Sequence, residues 1–158
     1  MSVAVIIINY NSTALLSRCL ESLSEQTLCA DELVIVDNAS TEAESQNLLN
    51  TISEATVIKS EENIGYGAAI NLAVRKIDTT DFIVCLNPDA FPDPQWLETI
   101  VNAAEDHPEF GSFASLMLRD DDPTIVDGAG DILHVTGIPW RRFHQRRLNK
   151  NMQTEPDF

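Results

Sequence analysis

Asn87-Pro88-Asp89 directly follows the apolar run Phe82-Ile83-Val84-Cys85-Leu86, so the Asp89 carboxylate stands where a buried segment meets solvent. A hard divalent cation held by one or two carboxylates and completed by substrate phosphates needs only such a sparse protein shell. Asp37 closes a second apolar run, Leu33-Val34-Ile35-Val36, and Asn38-Ala39-Ser40 follows it. A carboxylate in that position is suited to accepting a hydrogen bond from a nucleobase N–H. Asn9-Tyr10-Asn11-Ser12 ends the run Val3-Ala4-Val5-Ile6-Ile7-Ile8, and Asn63-Ile64-Gly65-Tyr66-Gly67 follows the short Thr56-Val57-Ile58. Any one of these could be an ordinary turn, since Asn, Asp and Gly are turn residues. Asp89 alone would read as a helix-initiating aspartate, and Gly65 and Gly67 as a turn and a close-packed helix start. Four such segments after four successive apolar runs point to a ligand site.

The elements that must position them alternate. The β-branched runs at 3–8 and 33–36 read as strands buried on both faces. Leu15, Leu16, Cys19, Leu20 and Leu23 recur at helical spacing, which predicts a helix from Ser12 to Gln26. Thr41 and Glu44 form a capping-box pair ahead of Leu48, Leu49 and Ile52. A helix through Ala69, Ile70, Ala73, Val74 and Ile77 separates the third and fourth strands, 56–58 and 82–86. Asp93 and Pro94 read as the N-cap and first turn of a helix carrying Trp96, Leu97, Ile100, Val101 and Ala104. The expected fold is therefore α/β, a mainly parallel sheet flanked by helices on both faces. In such sheets ligands bind at the carboxyl ends of the strands, where all four polar segments fall. Phe110 to Leu118 reads as a fifth strand, 120–123 as a turn and 127–131 as a glycine-rich loop, with no element assigned from Gly137 onward.

Composition removes several function classes. The chain has 158 residues and a net charge of −15, which disfavours general nucleic acid binding. No run approaches the ~18–20 apolar residues of a membrane span. Met1-Ser2-Val3-Ala4-Val5 lacks the basic start and cleavage site of a signal peptide and reads as the first strand of a cytosolic domain. Three cysteines without a C-x-x-C pair argue against a disulfide framework or a thiolate zinc site. Charge is uneven, however: residues 1–138 hold five basic and 23 acidic side chains, residues 139–158 five basic and two acidic. The basic cluster Arg141, Arg142, Arg146, Arg147 and Lys150 is either a solvated tail or a segment that meets phosphates or an anionic membrane surface.

Two nucleotide folds fit poorly. Gly65-Tyr66-Gly67-Ala68-Ala69-Ile70 begins like G-x-G-x-x-G but has Ile70 at the third glycine and follows the third strand, not the first. The turn after the first strand has no glycine, and a Walker A motif is absent. Hydride transfer and P-loop chemistry are disfavoured.

Taken in order and spacing, Asn9-Tyr10-Asn11, Val36-Asp37-Asn38-Ala39-Ser40, Asn63 to Asn71 and Leu86-Asn87-Pro88-Asp89 resemble family 2 glycosyltransferases. These are inverting enzymes with a GT-A, Rossmann-like fold. The Asn-Pro-Asp form and the Gly-Tyr-Gly stretch are most similar to the rhamnosyltransferase-like branch, which assembles bacterial surface polysaccharides. The resemblance covers about residues 3–130. It implies a nucleotide-sugar-binding core over 1–138 and a basic, irregular segment over 139–158, the chain stopping short of the family's full length. It implies that Asp37 contacts the base with Asn9 and Tyr10 beside it, and that Asn63 and Gly65 lie near base or ribose. Asn11 and Asn38 join that nucleotide-binding set, and Asn71 supports the loop from its helix, although a helix-surface amide is an equal reading. Asp89 would hold Mg²⁺ or Mn²⁺ on the diphosphate, with Asn87 at the first position of a D-x-D-like motif. Because Asn87 is neutral, cation affinity without nucleotide should be weak.

The family's catalytic base is a carboxylate in an acidic motif expected beyond Phe158. Asp127 and Asp131 do not match that motif, and His134 and His144 are bases by type only. Arg141 and Arg142 lie in the stretch that lines the donor and acceptor sides in the family. The implied partners are a nucleotide diphosphate sugar, with thymidine diphosphate rhamnose favoured by the branch alone, and a saccharide or lipid-linked glycan acceptor. A lipid-linked acceptor would place a cytoplasmic protein peripherally at the inner face of the membrane, and a partial core would self-associate through uncovered apolar surface. The competing classes are a non-catalytic nucleotide-sugar binding module and a nucleotidyltransferase, the latter lacking its glycine-rich basic loop after the first strand.

Overall fold

The computed structural model describes residues 1–78 and 80–152. The chain divides into two compact units, Met1–Asp106 and His107–Phe158.

The first unit is built on four parallel strands in the order β3-β2-β1-β4: β1 (Val3–Asn9), β2 (Glu32–Asp37), β3 (Thr56–Lys59) and β4 (Phe82–Leu86). The continuous apolar runs belong to the two central strands, and all seven β1 residues are buried. The edge strand β4 alternates instead, with Val84 and Leu86 inside and Ile83 and Cys85 exposed. Period-two geometry sends Val3, Val5, Ile7 and Ile35 to one face. There they pack on Leu16 and Cys19 of α1 (Thr13–Ser24), Leu49 of α2 (Ala43–Thr51), and Leu97 and Val101 of α4 (Trp96–Asp106). Ile6, Ile8, Val34 and Val36 face the other way, onto the small Ala69 and Ala73 of α3 (Tyr66–Val74). Helices thus cover both faces, as expected. Strand order reverses at β1, with β2 on one side and β4 on the other. In open α/β sheets ligands bind outside the carboxyl ends of the strands at such a reversal, here between β1 and β4.

Two helix starts differ from expectation. Thr41 and Glu44 make no capping box: Glu42 is the residue preceding α2, and the Thr41 N–H donates to Asn11 Oδ1 at 2.8 Å. The α4 helix begins at Trp96, after a turn closed by Trp96 N–H donating to the Asp93 carbonyl at 2.9 Å. Its first-turn Leu97 N–H is satisfied by Gln26 Oε1 at 3.0 Å, and Gln26 Nε2 donates to the Asp93 carbonyl at 2.8 Å. A side chain 71 positions away therefore does the work assigned to Asp93.

The second unit corrects three readings. The expected strand at 110–118 is reduced to β5 (Met117–Leu118), antiparallel to β6 (Val126–Gly128), which occupies part of the expected glycine-rich loop. β7 (Asp131–Leu133) and β8 (Pro139–Arg141) form a hairpin where no element was assigned. A short 3₁₀ helix covers Lys150–Met152. Among the described residues, no helix is long and apolar enough to cross a membrane.

Cys19 is fully buried, and burial followed by the negative charge of Asp89 pushes its thiol up to about 12, whereas Cys29 is exposed. Since the thiolate is the nucleophile, alkylation of the native chain at pH 8 should label Cys29 at least ~100-fold faster than Cys19. Peptide mapping after timed quenching would show this, and comparable rates would mean that α1 opens readily.

Candidate functional site

The site's inner layer follows from strand register. Asn9 pairs with Asp37 and Asp37 with Lys59, so three polar residues stand side by side at the carboxyl ends of β1, β2 and β3. Counting by twos from Ile7, Ile35 and Val57 puts all three on the α1/α2 face. Asn9 and Asp37 are buried there, 0% and 2% exposed. Burial at that level requires partners, and α2 and its preceding turn provide them. Asn9 Nδ2 reaches Asp37 Oδ1 at 3.2 Å, Ser40 Oγ at 3.1 Å and Ser45 Oγ at 2.8 Å, while Ser12 Oγ donates to Asn9 Oδ1 at 2.9 Å. Gln46 Nε2 donates to Asp37 Oδ2 at 2.8 Å, and Lys59 Nζ donates to Gln46 Oε1 at 2.8 Å. Both Asp37 oxygens thus accept from protein amides.

The outer layer is a set of turns held open by side-chain bonds. Asn38 points to the opposite side from Asp37. Its Nδ2 donates to Asn63 Oδ1 at 2.9 Å, and its Oδ1 accepts the Ile64 N–H at 3.0 Å. Asn63 Oδ1 also accepts the Gly65 N–H at 3.0 Å, so two donors fix the orientation of this exposed residue's amide. Asn11, at φ +50°, has its N–H on Ser40 Oγ at 3.0 Å, and Ala39 is also left-handed at φ +66°. Between these anchors Tyr10 is 48% exposed. Asn71, on α3, is exposed and has no side-chain hydrogen bond among the described residues.

Asn87 and Asp89 are both exposed beyond the end of β4. The Asn87 carbonyl accepts the Ala90 N–H at 3.1 Å, which fixes the turn, and Cys19 lies beneath it with Sγ 3.7 Å from that carbonyl. Among the described residues, Asp89 makes no hydrogen bond, and no three His, Cys, Asp or Glu side chains gather as a metal group. One unengaged carboxylate suits a hard cation whose remaining ligands come from phosphate and water, and does not suit zinc. Arg141 and His144 belong to the second unit, where Arg141 Nη1 pairs with Asp127 Oδ2 at 2.8 Å and His144 Nδ1 lies 2.7 Å from the Asp127 carbonyl.

Gly65 adopts φ +79° and ψ 160°, a region open to glycine alone, and no atom lies within 4 Å of where its Cβ would stand. Gly67 has helical backbone and equally open space. Gly65→Ala should therefore cost ~1–3 kcal/mol through backbone strain, while Gly67→Ala should stabilise by ~0.5 kcal/mol. Urea denaturation of the two variants checks the contrast, and equal effects would show that the turn is not held in this conformation.

The sequence pattern described as Glycosyl transferase family 2 matches residues 4–158. The chain belongs to this family. Its sheet and flanking helices are of the GT-A, Rossmann-like type seen in residues 1–349 of S. aureus TarS in complex with UDP-GlcNAc. That structure superposes with a TM-score of 0.58 at 26% identity, over 76% of this chain and 35% of TarS 1–349. Among curated family 2 proteins and their relatives, the N-acetylglucosaminyl-diphospho-decaprenol L-rhamnosyltransferase of Mycobacterium tuberculosis is 25% identical over 135 residues, 79% of this chain and 44% of that protein. The amylovoran biosynthesis glycosyltransferase AmsE of Erwinia amylovora is 30% identical over 112 residues, 68% of this chain and 41% of that protein. The chain thus spans less than half the length of these curated relatives.

Sequence reasoning did not find Ser45, Gln46 and Lys59. Ser45 carried a usable signal, since it lies at helical spacing with Leu48, Leu49 and Ile52 on the inward stripe of α2. Nothing local marked Gln46 or Lys59.

Proposed function

We propose that this chain is the donor-binding part of an inverting glycosyltransferase that passes a sugar from a nucleoside diphosphate to a saccharide or lipid-linked acceptor in bacterial surface polysaccharide synthesis. One observation carries the reading: an unengaged Asp89 carboxylate at the carboxyl end of β4, beside the strand-order reversal at β1. The rhamnosyltransferase and amylovoran relatives support the sugar-transfer class, and the UDP-GlcNAc complex of TarS supports a nucleotide sugar as donor. Thymidine diphosphate rhamnose is the donor favoured by the resemblance to the rhamnosyltransferase-like branch, and the L-rhamnosyltransferase relative supports the rhamnosyl part of it.

In this reading Tyr10 lies against the base, and the Asn63 NH₂, whose Oδ1 is already engaged, donates to it, with the Gly65 turn at the ribose. Asn9, Asn11, Asp37 and Asn38 shape that end from within, and Asn71 supports the Gly65 loop from α3. Asp89, with Asn87 beside it, would hold Mg²⁺ or Mn²⁺, which supplies the positive charge that stabilises a departing diphosphate. The acceptor hydroxyl must lose a proton during transfer, and no described residue is assigned as that base.

Calorimetric titration with thymidine and uridine diphosphates, with and without Mn²⁺, tests the reading. Cation-dependent binding is the expected result, and the preferred base narrows the sugar. A natively folded chain that binds neither nucleotide in Mn²⁺ overturns it.

A further inference from the structure

We infer that Gln46 and Lys59 are positioning residues for the base end of the donor site, an inference that rests on the donor-site reading above. Lysine carries donors only, so Lys59 Nζ, 2.8 Å from Gln46 Oε1, dictates which way the Gln46 amide faces. The Gln46 NH₂ is thereby turned onto Asp37 Oδ2 at 2.8 Å. Asp37 Oδ1 in turn engages Asn9 Nδ2, and Asn9 Nδ2 reaches Ser40 Oγ. Ser40 Oγ accepts the Asn11 N–H, which pins the left-handed turn that presents Tyr10. A continuous line of hydrogen bonds therefore runs from an exposed lysine on β3, through α2 and two buried strand ends, to the loop that carries the ring.

Left-handed backbone at Asn11 and Ala39 is unfavourable for L-residues and persists only where surrounding bonds over-determine it. Loosening Asp37 releases one of those bonds at a distance. Lys59 and Gln46 lie on β3 and α2, whereas Asn87 and Asp89 follow β4, at the other edge of the sheet. Their effect should accordingly fall on recognition of the nucleoside and leave the diphosphate and its cation untouched.

The test compares thymidine diphosphate with inorganic diphosphate, both in Mn²⁺, binding to the full chain and to Gln46→Ala, Lys59→Met and Lys59→Arg. Losing one charge-assisted or amide hydrogen bond of this kind changes affinity ~5–10-fold. Gln46→Ala should weaken thymidine diphosphate ~10-fold and Lys59→Met ~3–5-fold, with inorganic diphosphate unchanged and Lys59→Arg close to wild type. Lys59 is exposed, so its variants keep the test open if Gln46→Ala fails to fold. Unchanged thymidine diphosphate affinity in the folded variants overturns the inference. Equal loss of both ligands also overturns it, because that marks a general structural role. Failure of the wild-type chain to bind either thymidine or uridine diphosphate overturns the donor-site reading itself, and this inference with it; where uridine diphosphate is the one bound, it takes the place of thymidine diphosphate in the comparison.

Discussion

Asp89→Ala is expected to abolish the cation-dependent part of nucleotide binding while leaving the fold intact. Asp89 is exposed, and among the described residues its carboxylate makes no hydrogen bond, so its removal should change stability by no more than ~0.5 kcal/mol. The consequence for ligand is much larger. Asn87 is neutral and, among the described residues, no three His, Cys, Asp or Glu side chains gather as a metal group, so in the proposed reading Asp89 is the side chain on which a cation would depend. A strongly acidic chain gains little from a diphosphate without that cation. Thymidine diphosphate affinity in Mn²⁺ should fall at least ~100-fold, about 3 kcal/mol, to the value measured without metal. Asp89→Asn should behave like Asp89→Ala, because an amide keeps the shape and loses the charge. Retained Mn²⁺ dependence in either variant would place the cation elsewhere. The thiol provides an internal check: Asp89 helps raise the Cys19 thiol, so both variants should lower it.

What was legible in the sequence was what burial imposes on local pattern. β1 and β2 lie at the centre of a parallel sheet, must be apolar on both faces, and so appear as unbroken runs. β4 was read to its exact ends because it stops at Asn87-Pro88, where the chain must leave the sheet. The rim was legible for the same reason, since each polar turn begins where an apolar run ends. The helix starts were not, because their partners are remote. The Leu97 amide is satisfied by Gln26, and Thr41 is occupied by Asn11. Neither partnership leaves a mark within the few residues over which capping signals extend. The β7–β8 hairpin hid behind Pro139, which argues against a strand except at an edge, and these two strands are both edges. Its turn did carry a signal in Gly137, which adopts φ +81° and donates its N–H to the His134 carbonyl at 2.8 Å.

The inner layer of the site shows what the end of a strand leaves undetermined. Asp37 was read as a ligand for the base because it ends a strand at the rim. Ending a strand fixes height in the sheet, whereas the parity of the position fixes which face the side chain takes. Position 37 shares parity with Ile35, a core residue on the α1/α2 face, and position 38 has the other. The carboxylate is accordingly enclosed by Asn9 and Gln46, and Asn38 reaches the Asn63 turn. Parity was available from the sequence, as was the inward position of Ser45, but Gln46, whose amide helps make the buried carboxylate tolerable, was not, since on a helix it resembles an ordinary surface residue.

The largest loss of stability from a single polar truncation in the rim's inner layer should come from Asn9→Ala. Asn9 is 0% exposed, and its NH₂ lies within 3.2 Å of three acceptors contributed by β2, the following turn and α2. Two hydrogens serve three acceptors, so at least one contact is shared, and the hydroxyls of Ser40 and Ser45 have limited freedom to turn away. Truncation leaves Asp37 Oδ1 buried without its amide donor, at about 1–3 kcal/mol for an unsatisfied group and more where that group is charged. It also strands the Ser12 hydroxyl and opens a cavity between two strands and a helix. The summed cost should reach about 3–5 kcal/mol, a large part of the ~5–15 kcal/mol that holds an average domain folded. Ser45→Ala removes one 2.8 Å contact and leaves the others in place, so it should cost only about 1 kcal/mol. In the double variant the two effects should fall short of additivity, because Ser45 has already lost its partner. Urea unfolding followed by circular dichroism measures all three. An Asn9→Ala loss no larger than that of Ser45→Ala would mean that the amide is dispensable and that Asp37 is held by Gln46 alone.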